Sequence, residues 1–417
     1  ADLPVRAAAP VEYVRTCPNA PIGGTGFFVV PGTETCLQIS GYVRAEYRFN
    51  DDNDRVFSRL QDDVDFFARG SLAFDARTAT EYGTLRSFIR VNAERFDDAA
   101  DVDFAYLDQG FIQFAGLTAG RITSFFSFFA GNLMTSSGGL TDPSVEVLAY
   151  TATFGSGFSA TISVEDTKYR RGALAVGPGV VVPAGAVVPA AGFGYGGQEL
   201  PALVANLNVA QAWGSAQIMG ALQQIRHNVG NVAVDDELGW AIGAGVNIRL
   251  PMIAAGDALW LQATYADGAI NYADPISGGN EFNIGVVDAA LVGTPGNLSL
   301  ENTEAWSIAA AFRHYWTPTI WQDIEGAYGE VDAPEAAVFV GARPATLPDG
   351  AVQDFTWYQL GTRLNWRPVS GLTFSADVVY RNVDADFDVV YTPAGGIATR
   401  TGDTENWAGR LRIQRDF

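Results

Sequence analysis

The 417-residue chain is poor in several residue types that most function classes need. It has two Cys, two His and three Met, and a single Lys, Lys168, beside 25 Arg. So few Cys and His leave little room for a structural zinc site or a thiol enzyme. No catalytic triad, phosphate loop or Gly-rich dinucleotide turn stands in the strand-and-helix context it requires, and His227 and His314 are isolated, so enzymatic activity is not expected. Carboxylate pairs such as Glu94 and Asp108 read more simply as polar lining than as a glycosidase dyad. Cations are scarce as well: Lys+Arg 26 against Asp+Glu 47 gives a net charge of -21. Nucleic acid is therefore an unsuitable partner, because its phosphates need a basic footprint. Charged residues make up only 18% of the chain, below the roughly 25% of an ordinary soluble domain.

A helical membrane span is also missing. The stretch Gly172 to Gly197 is uncharged and long enough to cross a bilayer, but it contains Pro178, Pro183, Pro189 and repeated Gly. An interior Pro costs a helix about 3 kcal/mol and Gly about 1 kcal/mol, so the stretch reads as a long mobile loop. The first residues, Ala1 Asp2 Leu3 Pro4, have neither a basic start nor an apolar run, and any signal peptide is expected to have been removed.

What the chain does have is a period of two. From Leu37 to Phe49 the odd positions are Leu37, Ile39, Gly41, Val43, Ala45, Tyr47 and Phe49, and the even ones are Gln38, Ser40, Tyr42, Arg44, Glu46 and Arg48. Side chains of a strand point alternately to opposite faces, so this segment has one apolar face and one charged face. Sixteen such segments begin near residues 37, 64, 84, 103, 117, 145, 158, 201, 215, 238, 258, 304, 319, 354, 371 and 406. Tight turns such as Gly155 Ser156 Gly157 alternate with long polar connections, among them 50–63, 123–142, 166–200 and 266–303. An even number of strands of about ten residues, joined by short and long loops in turn, fits an all-β transmembrane antiparallel barrel. Antiparallel sandwiches would also give one apolar face per strand. Three features favour the barrel: a polar face rich in Arg and poor in Lys, aromatics near segment ends (Trp306, Trp316, Trp357, Trp366, Trp407), and a final strand that stops on Phe417.

Two stretches resemble a known family. The run Val11 to Cys17, followed by Pro31 to Arg44, is similar to the amino-terminus of alphaproteobacterial general porins of the Brucella and Rhizobium type, and the carboxy-terminal strand is similar to theirs. The resemblance implies a sixteen-stranded homotrimer in the outer membrane, in contact with lipopolysaccharide, that passes small hydrophilic solutes passively. It also implies a third long loop folded into the barrel, and a terminal Phe417 read by the outer-membrane assembly machinery. Residues 1–36 would form a periplasmic segment and 37–417 the barrel. Cys17 and Cys36, an isolated pair in an oxidising compartment, are expected to form a disulfide.

The expected pore has a basic wall of Arg44, Arg48, Arg69, Arg77, Arg86, Arg90 and Arg121, all assigned to the inward face of the first five strands. The expected constriction loop contains Phe125, Phe126, Phe128, Phe129 and Asn132. Its acidic side either comes from Asp142 and Glu146, giving a transverse field across the pore, or is absent, leaving an aromatic, weakly charged eyelet. The aromatic version suggests an alternative function, a substrate-selective porin with a stacking track for solutes. Acidic clusters in the long connections (Asp51, Asp52 and Asp54; Asp97, Asp98, Asp101 and Asp103; Asp235, Asp236 and Glu237) would line a vestibule. They could also bind divalent ions such as calcium shared with lipopolysaccharide, although no spacing matches a dedicated calcium loop and no cofactor is expected.

Overall fold

The computed structural model describes residues 15–17, 22–51, 63–96, 103–135, 138–176, 194–228, 234–275, 286–294, 296–334, 337–338, 351–352, 354–385, 389–391, 398–400 and 403–417. Sixteen long strands follow one another: β1 (Cys36–Asp51), β2 (Val64–Thr80), β3 (Gly83–Phe96), β4 (Asp103–Phe114), β5 (Leu117–Thr123), β6 (Ser144–Gly155), β7 (Phe158–Glu165) and β8 (Ala202–Gln211). The second half is β9 (Gly214–Ile225), β10 (Glu237–Arg249), β11 (Ala258–Asp267), β12 (Glu304–Thr317), β13 (Ile320–Asp332), β14 (Phe355–Val369), β15 (Leu372–Ala385) and β16 (Asp403–Asp416). Each is antiparallel to its neighbours, and β16 returns to pair with β1 over Tyr42↔Asp416 to Asp51↔Trp407. The sheet is thus a closed barrel without edges, the form in which strands can satisfy every backbone group in hydrocarbon. At the seam Phe417 and Gly41 exchange two backbone hydrogen bonds of 3.0 Å.

Fifteen strands begin within one residue of the position expected from the period-two pattern. The last starts at Asp403 rather than near 406, because its ladder with β15 runs on to Asp384↔Asp403. One expectation needs correction. The long connections are not all irregular: Ala173–Val176, Val287–Thr294, Asn297–Asn302 and two two-residue strands make a separate five-stranded sheet at the long-loop end. The stretch read as a mobile loop therefore opens with a strand, while residues 177–193 lie outside the described residues.

The outward face is apolar, with Val43, Phe66, Ile112, Leu148, Ile218 and Leu360 all more than half exposed. Near the long-loop end of β10–β16 it carries a belt of rings. Trp240 and Tyr265 lie 5.3 Å apart, Trp306 and Tyr328 5.5 Å, Tyr358 and Tyr380 5.9 Å, and Tyr380 and Trp407 4.9 Å, with Tyr265 opposite Trp306 and Tyr328 opposite Tyr358. A second level near the tight turns includes Trp213, Trp316 and Trp366. Tyr358 and Trp366 on β14 are eight residues apart, about 26 Å along the strand, close to the height of an apolar band between two interfacial girdles.

Cys17 and Cys36 form a disulfide with Cα atoms 5.9 Å apart. Cys36 is buried on the inward face, and the bond packs with Phe27, Ile22 and Val29, so the amino-terminal segment is tied just inside the tight-turn end of the barrel. The bond closes a loop with a sequence separation of 19, which corresponds to about 3 kcal/mol of stabilisation in the chain-entropy treatment. Reduction, or Cys17→Ser, is expected to make the segment before Cys36 protease-sensitive while the barrel stays intact. Cleavage that is identical with and without reductant would show that the bond is not what holds it.

Candidate pore lining and constriction

Because β1–β3 alternate regularly, Arg44, Arg48, Arg69, Arg77, Arg86 and Arg90 share the inward face. Carboxylates from the same wall lie between them. Glu46 on β1 is approached by Arg44 (3.7 Å), Arg48 (2.8 Å), Arg410 (3.8 Å) and Arg412 (2.5 Å). Asp75 on β2 holds Arg77 (2.7 Å) and Arg86 (3.0 Å), Glu94 on β3 holds Arg69, and Asp108 stands 3.5 Å from Arg90. On the adjoining arc Asp323 on β13 holds Arg313 (2.7 Å) and Arg363 (3.0 Å). Several guanidiniums also lie over inward rings: Arg48 and Arg69 over Phe67, and Arg86 and Arg90 over Phe88, which stacks on Phe111. Arg tolerates this crowding because its weakly hydrated planar cation can stack while it keeps its charge.

Arg121 and Glu146 depart from what the sequence suggested. On β5, Thr118 bonds Gln113 on the inward face and Ile122 packs with Phe88 and Phe111, so Arg121 points outward with Leu117. Glu146 lies opposite it in register on the face of Leu148 and Tyr150, and the two form a 2.9 Å ion pair on the outside of the barrel. Neither can line the pore. β5 is only seven residues long with Gly120 at its centre, so its alternation is too brief to mark the face that Arg121 takes.

The segment between β5 and β6 contacts inward side chains around most of the barrel. The Phe125 amide donates to Glu165 on β7 (3.0 Å), and its carbonyl accepts from Asn206 on β8 (2.6 Å). Phe126 is almost fully buried edge-on to Tyr272, Phe128 lies against Gly245 on β10, and Phe129 stacks on Trp260 of β11 at 5.1 Å. Gly245 has no side chain where the Phe128 ring sits. The Asn132 amide donates to Glu325 on β13 (2.7 Å), while its side-chain oxygen accepts from Arg313 (3.0 Å). The Met134 and Thr135 amides donate to Asp377 on β15 (2.6 and 3.0 Å), and Arg410 on β16 donates to the Met134 carbonyl (2.7 Å). Three buried carboxylates of the barrel thus accept backbone N–H groups of a segment that has no charge of its own before Asp142. Asp142 is exposed where the segment leaves for β6. The Phe126, Phe128 and Phe129 rings pack against the barrel wall and the neighbouring loop, which does not favour an open stacking track.

A second cluster holds the long connections together. Asp288, fully buried, accepts from the Gly172 amide (2.7 Å), the Tyr195 hydroxyl (2.6 Å), the Ile270 amide (3.2 Å) and the Gln223 side chain (3.5 Å). Burial raises its carboxyl from the ordinary 3.8 to about 6, although these donors and nearby Arg171 pull the other way. The folded state therefore holds this proton more tightly than the unfolded one. Its contribution to stability is complete below about pH 3.8 and is lost as pH rises through about 6, on the order of 3 kcal/mol. Amide exchange of residues 287–302, corrected for intrinsic rates, is expected to be slower at pH 4 than at pH 7, with the difference abolished in Asp288→Asn. Equal protection at both pH values would contradict this.

Of the acidic clusters, Asp52, Asp54, Asp97, Asp98 and Asp101 lie outside the described residues. Asp235, Asp236 and Glu237 are exposed at the rim, where Asp236 accepts from Gln224 at 2.7 Å. Among the described residues no three His, Cys, Asp or Glu side chains gather as a metal site would need.

A family description, "Porin subfamily", matches residues 2–413 of the chain. The chain belongs to the porin family. This porin is 31% identical to porin Omp2b of Brucella suis over 275 residues, which is 62% of this chain and 66% of Omp2b. It is 41% identical to the putative outer membrane protein y4fJ of Sinorhizobium fredii over 117 residues, 27% of this chain and 33% of that protein. The matched regions thus span from about a third to just under two thirds of these relatives. Among solved structures it resembles the outer membrane channel DcaP of Acinetobacter baumannii, with a TM-score of 0.61 and 16% identity, covering 92% of this chain and 97% of that one. It also resembles OmpT of Vibrio cholerae, with a TM-score of 0.51 and 11% identity, covering 93% and 99%. These likenesses establish the fold. With its apolar exterior, the porin is an integral barrel of the Gram-negative outer membrane.

Sequence reading missed the part of this porin's charged lining that the late strands supply. Arg313, Arg363, Arg410 and Arg412, and the acids Asp323, Glu325 and Asp377, come from strands late in the chain that join the early ones only when the barrel closes. The signal was present: Arg410, Arg412 and Gln414 alternate with Leu411 and Ile413 just as Arg44, Glu46 and Arg48 do with Ala45 and Tyr47.

Proposed function

We propose that the barrel is a water-filled channel for passive diffusion of ions and small hydrophilic solutes, with residues 124–135 folded inward as its constriction. The observation that carries this reading is the charged inward face. A dry interior would leave these partly exposed guanidiniums without solvation, at several kcal/mol per ion, whereas a water-filled lumen keeps them hydrated. The contacts of residues 125–135 with inward side chains of β7 to β16 support the constriction. In liposomes reconstituted with the purified protein, swelling rates in isosmotic sugars are expected to fall steadily with solute size. Swelling no faster than in empty liposomes would rule out an open channel.

We further propose a homotrimer that associates through the outer face of β3–β6. This face carries Ala93 and Ala105, paired in register toward the long-loop end, and the Arg121–Glu146 ion pair. An ion pair about 16 Å along the strand from the turn at Gly116 suits a protein neighbour better than lipid. Phe417, exposed on the outer seam, is proposed as the mark read by the outer-membrane assembly machinery, the segment before Cys36 as periplasmic, and the acidic rim as the contact with lipopolysaccharide.

A further inference from the structure

Over most of the lining, Asp65 and Asp108 excepted at 34% and 27% exposed, the two signs of charge sit at different depths. Nine inward guanidiniums converge on four carboxylates, Glu46, Asp75, Glu94 and Asp323. These carboxylates are 0% to 8% exposed, whereas the guanidinium side chains are 14% to 28% exposed. The acids therefore lie beneath the cations and are largely hidden from the lumen. Arg77, Arg363 and Arg412 grip their acids through Nε and Nη2, and Nη1 of each has no hydrogen-bond partner among the described residues. Residues 124–141 contain no Asp, Glu, Lys or Arg, so the one opposing charge near the constriction is Asp142, at the exit to β6. The three acids that face the constriction segment are occupied by its backbone amides.

We propose that this arrangement makes the pore anion-selective, so that small inorganic anions and carboxylates pass in preference to cations of equal size, despite a net charge of -21 for the whole chain. The inference rests on the diffusion-channel reading and names the solute class of that channel. The field is that of a cationic surface with acids behind it. A carboxylate moving along the wall can meet outward N–H groups without displacing a protein partner, because the guanidinium fork matches its geometry.

The test is the zero-current potential of the full-length protein in a planar bilayer under a KCl gradient. A chloride-to-potassium permeability ratio of roughly 3 to 10 is expected near 0.1 M, from a surplus potential of a few kT. It should fall towards 1 near 1 M, as the screening length shrinks from about 10 Å to about 3 Å. Arg77→Gln combined with Arg86→Gln should lower the ratio, and Asp75→Asn, which removes only the acid, should raise it. A conducting channel with a ratio at or below 1 would overturn the inference and leave the diffusion-channel reading standing. A protein that never conducts would remove both. Because the wild-type potential decides by itself, a variant that fails to fold does not blunt the test.

Discussion

An Asp377→Ala substitution, alone and with Glu325→Gln, is expected to raise the unitary conductance and the open-channel noise. Asp377 accepts two amides and Glu325 a third, all from residues 132–135 and all buried. Hydrogen bonds to a charged group contribute about 1.5–3 kcal/mol each, and a buried N–H left without an acceptor costs about 1–3 kcal/mol. Losing both pins removes enough of the local stability for the segment to leave the wall at room temperature. The effect should be larger than truncating a Phe of the same segment, because three of the rings are held by several neighbours and the amides by one carboxylate each. Single-channel recording in symmetric KCl reads both quantities. Conductance and noise equal to the parent in the double variant would mean that the segment is held by its aromatic packing alone.

The second large effect is expected at Glu146→Leu. Arg121 would then stand on the outer face without its ion pair, retaining the Tyr169 ring at 4.6 Å as its main contact. An unpaired Arg on the lipid face costs about 2–4 kcal/mol near the bilayer midplane, and the same penalty applies if a second copy buries it without a counter-charge. The oligomer seen by semi-native electrophoresis should dissociate at a lower temperature, and the doubly neutral Arg121→Leu, Glu146→Leu variant should recover part of the loss. Recovery is the informative result, because simple disruption of strand pairing would leave the double variant at least as weak as the single one. If Glu146→Leu leaves the dissociation temperature unchanged, the face formed by β3–β6 is not the contact.

The barrel was largely legible in the sequence. Alternation such as Leu37 to Phe49 is imposed by having water on one face and lipid on the other, and it placed fifteen strand starts within one residue. Inward and outward faces could be told apart wherever a strand was long enough to show several periods. The method failed at β5, seven residues long with Gly120 in its middle, where too few alternating side chains mark the two faces and Arg121 was put on the wrong one. It also took the inward face to be uniformly polar, whereas Phe67, Phe88 and Phe111 sit there as platforms for guanidiniums. The partnership between early and late strands was not accessible at all: Glu46 with Arg410 and Arg412, or Asp377 with Met134, are contacts across hundreds of residues that exist only once β16 meets β1. The aromatic residues of 125–129 were found, but their role was not, because a Phe beside a pore and a Phe packed on a wall look alike until Gly245 and Trp260 are seen beneath them.

A water-filled lumen narrowed by residues 124–135 and lined by cations is tested most directly by single-channel recording of the purified protein in planar bilayers. Discrete upward steps on insertion, with a linear current–voltage relation at low voltage and closure in three equal sub-steps under strong voltage, are the expected result. Insertion into the membrane without any conductance step, in a protein shown by circular dichroism to be folded as β-sheet, would contradict it.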